Sequence, residues 1–393
     1  MFWILLYIID GMFFIYAAFS VLYMLFYSIA SIFSRHNRLP NTNMNNRFIV
    51  IIPAYKQDAV IENTVKAILA QTYPQRFFDV VVVSDHENEM TNFRLAQYPI
   101  TLLTPDFQKS SKAKSLNYAM DHLPAFKIYD VVLVLDADNL VDDTFLENMN
   151  KAYELSGTKV IQAHRVSQNR DTSSAILDSI FEEINNSIFR RGHVAIGISS
   201  AITGSGIALY FNWFKKNVKK LKTSAEDKEL EALILDGQIF VDYFNEILVY
   251  DKKTQRTKDF SKQRGRWMSS QFSSLKANIN KLVPCIFTKR YDYADKIIQW
   301  MIMPRTVLVA LLVLMSVVIP FIYMSLAIKW WILFAILFFA FAIATPDYLV
   351  DKRFDRAFIE APFIMLGAIL NVFKIGRHNI VRTRNYKHRA KDV

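Results

Sequence analysis

The sequence predicts an α/β protein: a doubly wound sheet domain in the cytosol, flanked by transmembrane and interfacial helices. Three observations predict it. Short apolar, β-branched runs alternate with helical segments through the middle of the chain, the order of a parallel α/β sheet. The clearest run, residues 131–135, stops abruptly at Asp136 and Asp138, and open α/β sheets place their ligands at such strand ends. The chain is 52% hydrophobic over 393 residues, and the excess sits at its two ends in stretches of about 20 residues or more, the length that crosses a bilayer.

Residues 1–33 form the first membrane segment, one long helix with Asp10 as its only formal charge. No basic residue precedes it and no small-residue cleavage site is evident, so it does not read as a cleaved signal peptide. Arg35, His36 and Arg38 follow. Positive residues stay cytoplasmic, which predicts an N-terminus outside and a cytosolic domain over residues 45–260. Asp10 reads either as a functional charge within a span or as a residue near enough to the outer surface to reach water.

After a polar Pro/Asn linker, residues 48–53 read as a buried strand stopped by Pro53. Residues 62–70 read as a helix and residues 80–83 as a second strand, ending at Ser84 and Asp85. Another helix begins at Ser111, before the 131–135 strand. A helix and strand follow over 151–168, and then an amphipathic helix over 171–191. Gly204-Ser205-Gly206 breaks the chain. The lysines at 215, 216, 219, 220 and 222 read as a wet or lipid-facing surface. Ser224-Ala225-Glu226-Asp227 has the acids of a helix first turn.

Residues 261–303 hold Gln263-Arg264-Gly265-Arg266-Trp267 and then amphipathic helices suited to an interface. Residues 304–349 read as two spans with a tight turn at Lys329. Residues 350–393 read as an interfacial or re-entrant helix over 357–373, with a basic tail held in the cytosol.

Net charge is +11. The basic residues crowd near the apolar segments, which points to anionic lipid headgroups and a phosphorylated substrate and away from nucleic acid. Cys285 is the single cysteine, which excludes an intrachain disulfide and a cysteine-built metal site. His164 and His193 have no partner at ligand spacing and read as structural.

Read for chemistry, Asp85, Asp136 and Asp138 end strands and converge on one sheet edge, and Lys112 and Lys114 offset phosphate charge. Mg²⁺ or Mn²⁺ is commonly held by one or two carboxylates together with substrate phosphates. The arrangement fits a nucleoside diphosphate held with a divalent cation.

The order of motifs is more specific. Ile52-Pro53-Ala54-Tyr55, Ser84-Asp85, Ser111-Lys112-Ala113-Lys114, Asp136-Ala137-Asp138, Gly204-Ser205-Gly206, Glu226-Asp227 and Gln263 to Trp267 follow one another along the chain. Together they resemble the family 2 inverting glycosyltransferases, more narrowly the membrane-integrated group of cellulose, chitin and hyaluronan synthases and bacterial exopolysaccharide synthases. The resemblance covers residues 45–300 and implies a GT-A-like domain. It implies nucleotide and diphosphate contacts from Pro53, Tyr55, Asp85, Lys112, Asp136, Gln263, Arg266 and Trp267, and a metal ligand in Asp138. It implies Asp227 as general base and an acceptor site at Gly204, Ser205, Glu226 and Trp267. Arg264 reads as a solvated neighbour. Asp227 also reads as a plain first-turn acid, and Trp267 as an interface anchor.

The sequence departs from the family pattern at Ala225, where threonine is usual, at Lys56 after the Pro-x-Tyr, and at Ser84, where a second aspartate is usual. No gating-loop motif follows Trp267. The resemblance implies sugar transfer from a UDP-sugar to a growing β-linked exopolysaccharide. The alternatives are single-sugar transfer to a membrane lipid or polyprenyl phosphate, and a non-catalytic sugar-nucleotide scaffold. Three spans are few for a private polymer channel, so a homo-oligomer or an export partner is expected to complete one.

Overall fold

A computed structural model of the protein describes residues 2–34, 39–223, 225–253 and 257–351. Its centre is one eight-stranded sheet. The strands are β1 Phe48–Tyr55, β2 Phe78–Asp85, β3 Thr101–Leu103, β4 Val131–Val134, β5 Asn139–Val141, β6 Val160–Ser167, β7 Ile207–Tyr210 and β8 Val241–Asp251. Their spatial order is β3-β2-β1-β4-β7-β6-β8-β5.

The β1 sequence shows why its run is apolar at every position. Phe48, Val50 and Ile52 pack into one core with Leu133 and Leu146. Ile49 and Ile51 pack into a second core on the other face with Val132, Leu116 and Phe214. A strand covered on both faces has no polar side. Pro53 lies just beyond the β4 ladder, which ends at Ile51 against Val134, so its missing N–H costs no bond on that side.

The expectation of a parallel sheet holds for half of it. β3, β2, β1 and β4 are parallel, but β7 runs antiparallel between β4 and β6, and β5 runs antiparallel to β8. The cause is local. Gly204 and Gly206 both take positive φ, +74° and +63°, a backbone that glycine adopts without steric cost. The loop delivers β7 beside β4 in the opposite sense, with Ile207 against Val134.

The predicted amphipathic helix over 171–191 is instead buried on nearly every face. It runs as an α-helix over Ser173–Asn185 and a π-helix over Asn186–Arg191. Its charges are neutralised inside. Asp178 is ion-paired with Arg264, Glu182 meets Arg190 at 3.1 Å, and His164 meets Glu183 at 3.0 Å. His164 is thus structural, as is His193, which hydrogen-bonds the Ile188 carbonyl and stacks on Tyr27.

Among the described residues, three helices are long and apolar enough to cross a membrane: Tyr7–Ile32, Arg305–Ile322 and Met324–Ala344. They pack through Ala17, Val21, Met24, Leu308, Leu312 and Trp330. The first also docks on the sheet domain, where a side chain at Gly192 would run into the Tyr27 carbonyl. Two expectations change here. The turn between the last two spans is at Tyr323, and Lys329 lies inside the third helix. Asp10 is buried and does not reach water, because Lys329 pairs with it and the Trp330 indole donates to it at 2.8 Å.

The Gln263–Trp267 segment lies within a helix over Thr257–Asn278, and helices over Leu282–Phe287 and Tyr291–Met301 follow it. Tyr293, Ile297 and Trp300 pack inward against Leu235, while Phe272, Val283 and Phe287 are exposed. The interfacial or re-entrant helix expected over 357–373 and the basic tail fall outside the described residues.

Candidate active site

The parallel strands carry their chemistry to one edge. Tyr55 and Asp85 are register partners at the ends of β1 and β2. Both chains then leave through left-handed backbone at non-glycine residues, Lys56 at φ 54° and His86 at φ 61°. Such strain tends to collect at functional sites. Tyr55 is exposed and Asp85 is buried, with the His86 Nδ1 at 2.5 Å from the Asp85 carboxylate. His86 and Glu87 were missed from sequence. The only signal was their position just after a strand-end acid. Glu87 accepts the Gln57 N–H at 2.6 Å. Burial, with the charges of Asp58 and Asp85, pushes its carboxyl up to about 7.

At the end of β4, Lys112 is ion-paired with Asp136 and donates to the Gly204 carbonyl at 2.7 Å. Lys112 opens a helix over Lys112–Asp121 whose cap is Ser111, accepting the Lys114 N–H at 3.3 Å. Burial alone would depress its ammonium, but the carboxylates of Asp136, Glu226 and Asp227 outweigh burial and hold it above the ordinary lysine value. Asp138, one turn on, has its carboxyl raised to about 6 by burial and by the charges of Asp251 and Asp136.

Ser205 does not reach the acceptor side. It is fully buried, accepts the Asp136 N–H at 2.9 Å and donates to Asn139. Its role is to hold the β4 terminus. Gly204, by contrast, lies against the acids. A Cβ there would sit 3.3 Å from the Asp227 Cβ and 3.5 Å from the Lys112 Nζ.

Asp227 is in the first turn of the Glu226–Asp236 helix and accepts the Lys228 N–H at 2.8 Å. The helix is anchored by Glu231, which is fully buried and accepts the Ile202 N–H at 3.0 Å. Lys296 meets the same carboxylate at 3.0 Å. Burial, against the pull of Lys112 and with the help of Asp227, pushes the Glu226 carboxyl up to about 7.

Gln263, Arg266 and Trp267 lie at helical spacing i, i+3, i+4 on the Thr257–Asn278 helix, which puts them on one face. Arg264 is not solvated. It is buried and ion-paired with Asp178, and its guanidinium lies 4.7 Å from the Trp267 ring and 4.8 Å from the Phe181 ring. Asp178 is itself buried and needs that counter-charge. Arg264 therefore buttresses Trp267.

These groups face one cleft of about 560 Å³, walled by Lys112, Asp136, Glu226, Asp227, Gln263, Arg266 and Trp267. Pro53, Tyr55, Asp85 and Asp138 are not among its walls and continue along the strand-end edge. Met24 of the first long apolar helix and Arg305 of the second also wall the cleft. Arg165, Arg190 and Arg305, which also wall it, were missed from sequence. They lie within a strand, a buried helix and the first residue of a span, where nothing local announces a site.

Comparison with curated proteins finds no match. Among solved structures, the mannosyltransferase PcManGT from Pyrobaculum calidifontis, in complex with GDP-Man and Mn²⁺, is 16% identical. It superposes with a TM-score of 0.58 over 93% of this chain and 98% of that one. TarS 1–349 from S. aureus, in complex with UDP-GlcNAc, is 13% identical with a TM-score of 0.41, over 85% and 92% of the two chains. At these identities the first likeness speaks for the GT-A-like fold. Residues 46–270, more than half of the chain, match the model of the family described as glycosyltransferase like family 2, and the protein belongs to that family.

Proposed function

We propose that the protein is an inverting glycosyltransferase that moves a single sugar from a UDP-sugar to a lipid-borne acceptor at the cytoplasmic face of the membrane. One observation carries this reading. The cleft that brings Lys112 and Asp136 to Asp227 and Trp267 is also walled by Met24 and Arg305, side chains of two long apolar helices. The acceptor thus has a route from the bilayer to the base. The apolar packing between the three helices, through Ala17, Val21, Leu308, Leu312 and Trp330, supports a lipid-borne acceptor over a polymer threading its own pore among the described residues.

Asp227 takes the proton of the acceptor hydroxyl as that oxygen attacks the anomeric carbon. The bond from that carbon to the UDP β-phosphate oxygen breaks on the opposite face, and its electron pair leaves on UDP. Lys112 and Arg266 offset the charge that develops there. Tyr55 and Asp85 hold the uracil. Asp138 is the residue that would hold Mg²⁺ or Mn²⁺. The strand end offers hard oxygen donors, and no group of three His, Cys, Asp or Glu forms a complete cage among the described residues. Such a site fits a cation whose shell is completed by the diphosphate. When bound, the cation neutralises the leaving diphosphate.

A second reading, chain extension of a β-linked exopolysaccharide, is favoured by Trp267. The residue is 38% exposed and walls the cleft, and an indole ring there is one a sugar can stack on.

The test is a donor screen on purified protein in lipid nanodiscs with Mn²⁺. The donors are UDP-glucose, UDP-N-acetylglucosamine, UDP-galactose, UDP-glucuronate and GDP-mannose. Release of UDP with a single-sugar lipid product is expected, and long chains would favour the second reading. If no donor is bound or turned over, the enzyme reading fails and a non-catalytic scaffold takes its place.

A further inference from the structure

The cleft has more positive charge than a donor diphosphate explains. Seven basic side chains wall it, Lys112, Arg165, Arg190, Lys228, Arg264, Arg266 and Arg305, against four acids, Asp136, Glu182, Glu226 and Asp227. Most of the basic groups have a carboxylate in contact. Lys112 has Asp136, Arg165 has Asp251, Arg190 has Glu182, Lys228 has Glu231 and Arg264 has Asp178.

Arg266 and Arg305, which also wall the cleft, make no ion pair within 4 Å among the described residues. Arg266 is the group given above to the leaving diphosphate, which leaves Arg305. Its Nη1 donates to the Phe181 carbonyl at 3.2 Å, and its guanidinium lies 5.2 Å from the Phe181 ring and 5.9 Å from the Phe189 ring. Arg264 stacks on the same Phe181 ring at 4.8 Å. Two guanidinium groups thus share one phenyl ring. Asp178 is ion-paired with Arg264, and Glu182 and Asp178 act on Arg305 only through space. A charge held beside apolar helices without a directly bonded counter-ion is costly. An anion entering the cleft relieves that cost, and a guanidinium presents the planar fork that grips phosphate oxygens.

The surroundings narrow the anion. Arg305 opens a long apolar helix, and Met24, Phe181, Phe189 and Met303 wall the same cleft. A charged head beside apolar walls that run into the bilayer suits an amphiphile with one phosphate and a hydrocarbon tail. Resting on the reading of a lipid-borne acceptor above, we infer that Arg305, backed by Arg264, is the anchor for the phosphate of a lipid phosphate monoester that serves as acceptor or carries it. The anchor takes no part in bond-making. It sets the depth at which the acceptor hydroxyl meets Asp227.

The experiment uses full-length protein in phosphatidylcholine nanodiscs, with farnesyl phosphate, farnesol, inorganic phosphate and phosphatidylglycerol titrated separately. Wild-type protein is expected to bind farnesyl phosphate at least tenfold more tightly than any of the other three. Arg305→Gln is expected to lose about tenfold of that affinity or more, given the strength of charge-assisted bonds to a fixed anion, while binding UDP as the wild type does. Equal binding of farnesol would show that only the tail is recognised. Equal binding of inorganic phosphate would remove the lipid from the proposal, and equal binding of phosphatidylglycerol would reduce the contact to bulk headgroup attraction. An Arg305→Gln protein that binds UDP and farnesyl phosphate like wild type would overturn the site. If the variant does not fold, as absent UDP binding would reveal, the four wild-type titrations decide alone. Failure here with donors still bound leaves the donor reading standing, whereas failure to bind any donor defeats that reading first.

Discussion

Gly204 lies so close to Asp227 that a Cβ at position 204 would stand 3.3 Å from the Asp227 Cβ, while its φ of +74° is one that side chains resist. The carbonyl of the same residue accepts the Lys112 ammonium at 2.7 Å. One glycine therefore spaces the proposed base from the diphosphate lysine.

Gly204→Ala should disturb both. The left-handed backbone alone costs on the order of 1 kcal/mol, and a sub-ångström displacement of Asp227 or Lys112 should lower kcat by about 10- to 100-fold. Steady-state kinetics beside a melting curve checks this. Wild-type kcat in a folded variant would show that the contact is not one the reaction depends on.

Asp227→Asn removes the proton acceptor and keeps the shape. Turnover should fall by roughly 10²- to 10⁴-fold with UDP affinity unchanged, since the residue faces the acceptor. Isothermal titration with UDP and a UDP-release assay separate the two effects. Equal turnover would sink the assignment of the base.

Glu226 makes stability depend on pH with a definite sign. Its carboxyl is raised to about 7 by burial, against Lys112, so the folded state retains a proton that the unfolded chain has released. Stability from this group is complete below the ordinary glutamate range and is lost as pH rises through about 7. The melting temperature of Glu226→Gln relative to wild type should therefore rise between about pH 5 and pH 8, by roughly 2–4 °C. A pH-independent difference would mean that Glu226 titrates normally.

Asp10 and Lys329 stand together in the bundle of long apolar helices, the aspartate buried and bonded to the Trp330 indole at 2.8 Å. Asp10→Asn strands the lysine, and Lys329→Met strands the carboxylate. Each single change should destabilise by about 2–4 kcal/mol, and the double variant should recover much of it. Unfolding of the four proteins in one detergent gives the coupling, and strictly additive losses would show that the pair is not coupled.

Much of this was legible from local patterns. β1, β2 and β4 could be read because strands covered on both faces must be apolar throughout, and their strand-end acids follow from where such sheets bind ligands. The membrane helices could be read because a bilayer imposes length and hydropathy. The antiparallel β7 was less legible. Its sense depends on two glycine φ angles in the Gly204–Gly206 loop, and a Gly-x-Gly written in sequence fits many loops.

Most of the remaining differences concern charge. Sequence placed Asp10 near water, Arg264 in solvent and the helix over 171–191 half in water, because a charge read in isolation belongs at a surface. Each has a partner elsewhere in the chain: Lys329 for Asp10, Asp178 for Arg264 and, for Glu182, Lys253 together with Arg190 eight residues on. The sequence by itself determined the elements, the family and the chemical kinds of residue at the site, since these rest on local periodicity and on motifs in order. Only the tertiary structure decided which charges neutralise one another, that Ser205 is buried, and that Arg305 at the cleft wall has no ion pair among the described residues. Those outcomes depend on distances between residues far apart in sequence, and no local pattern encodes them.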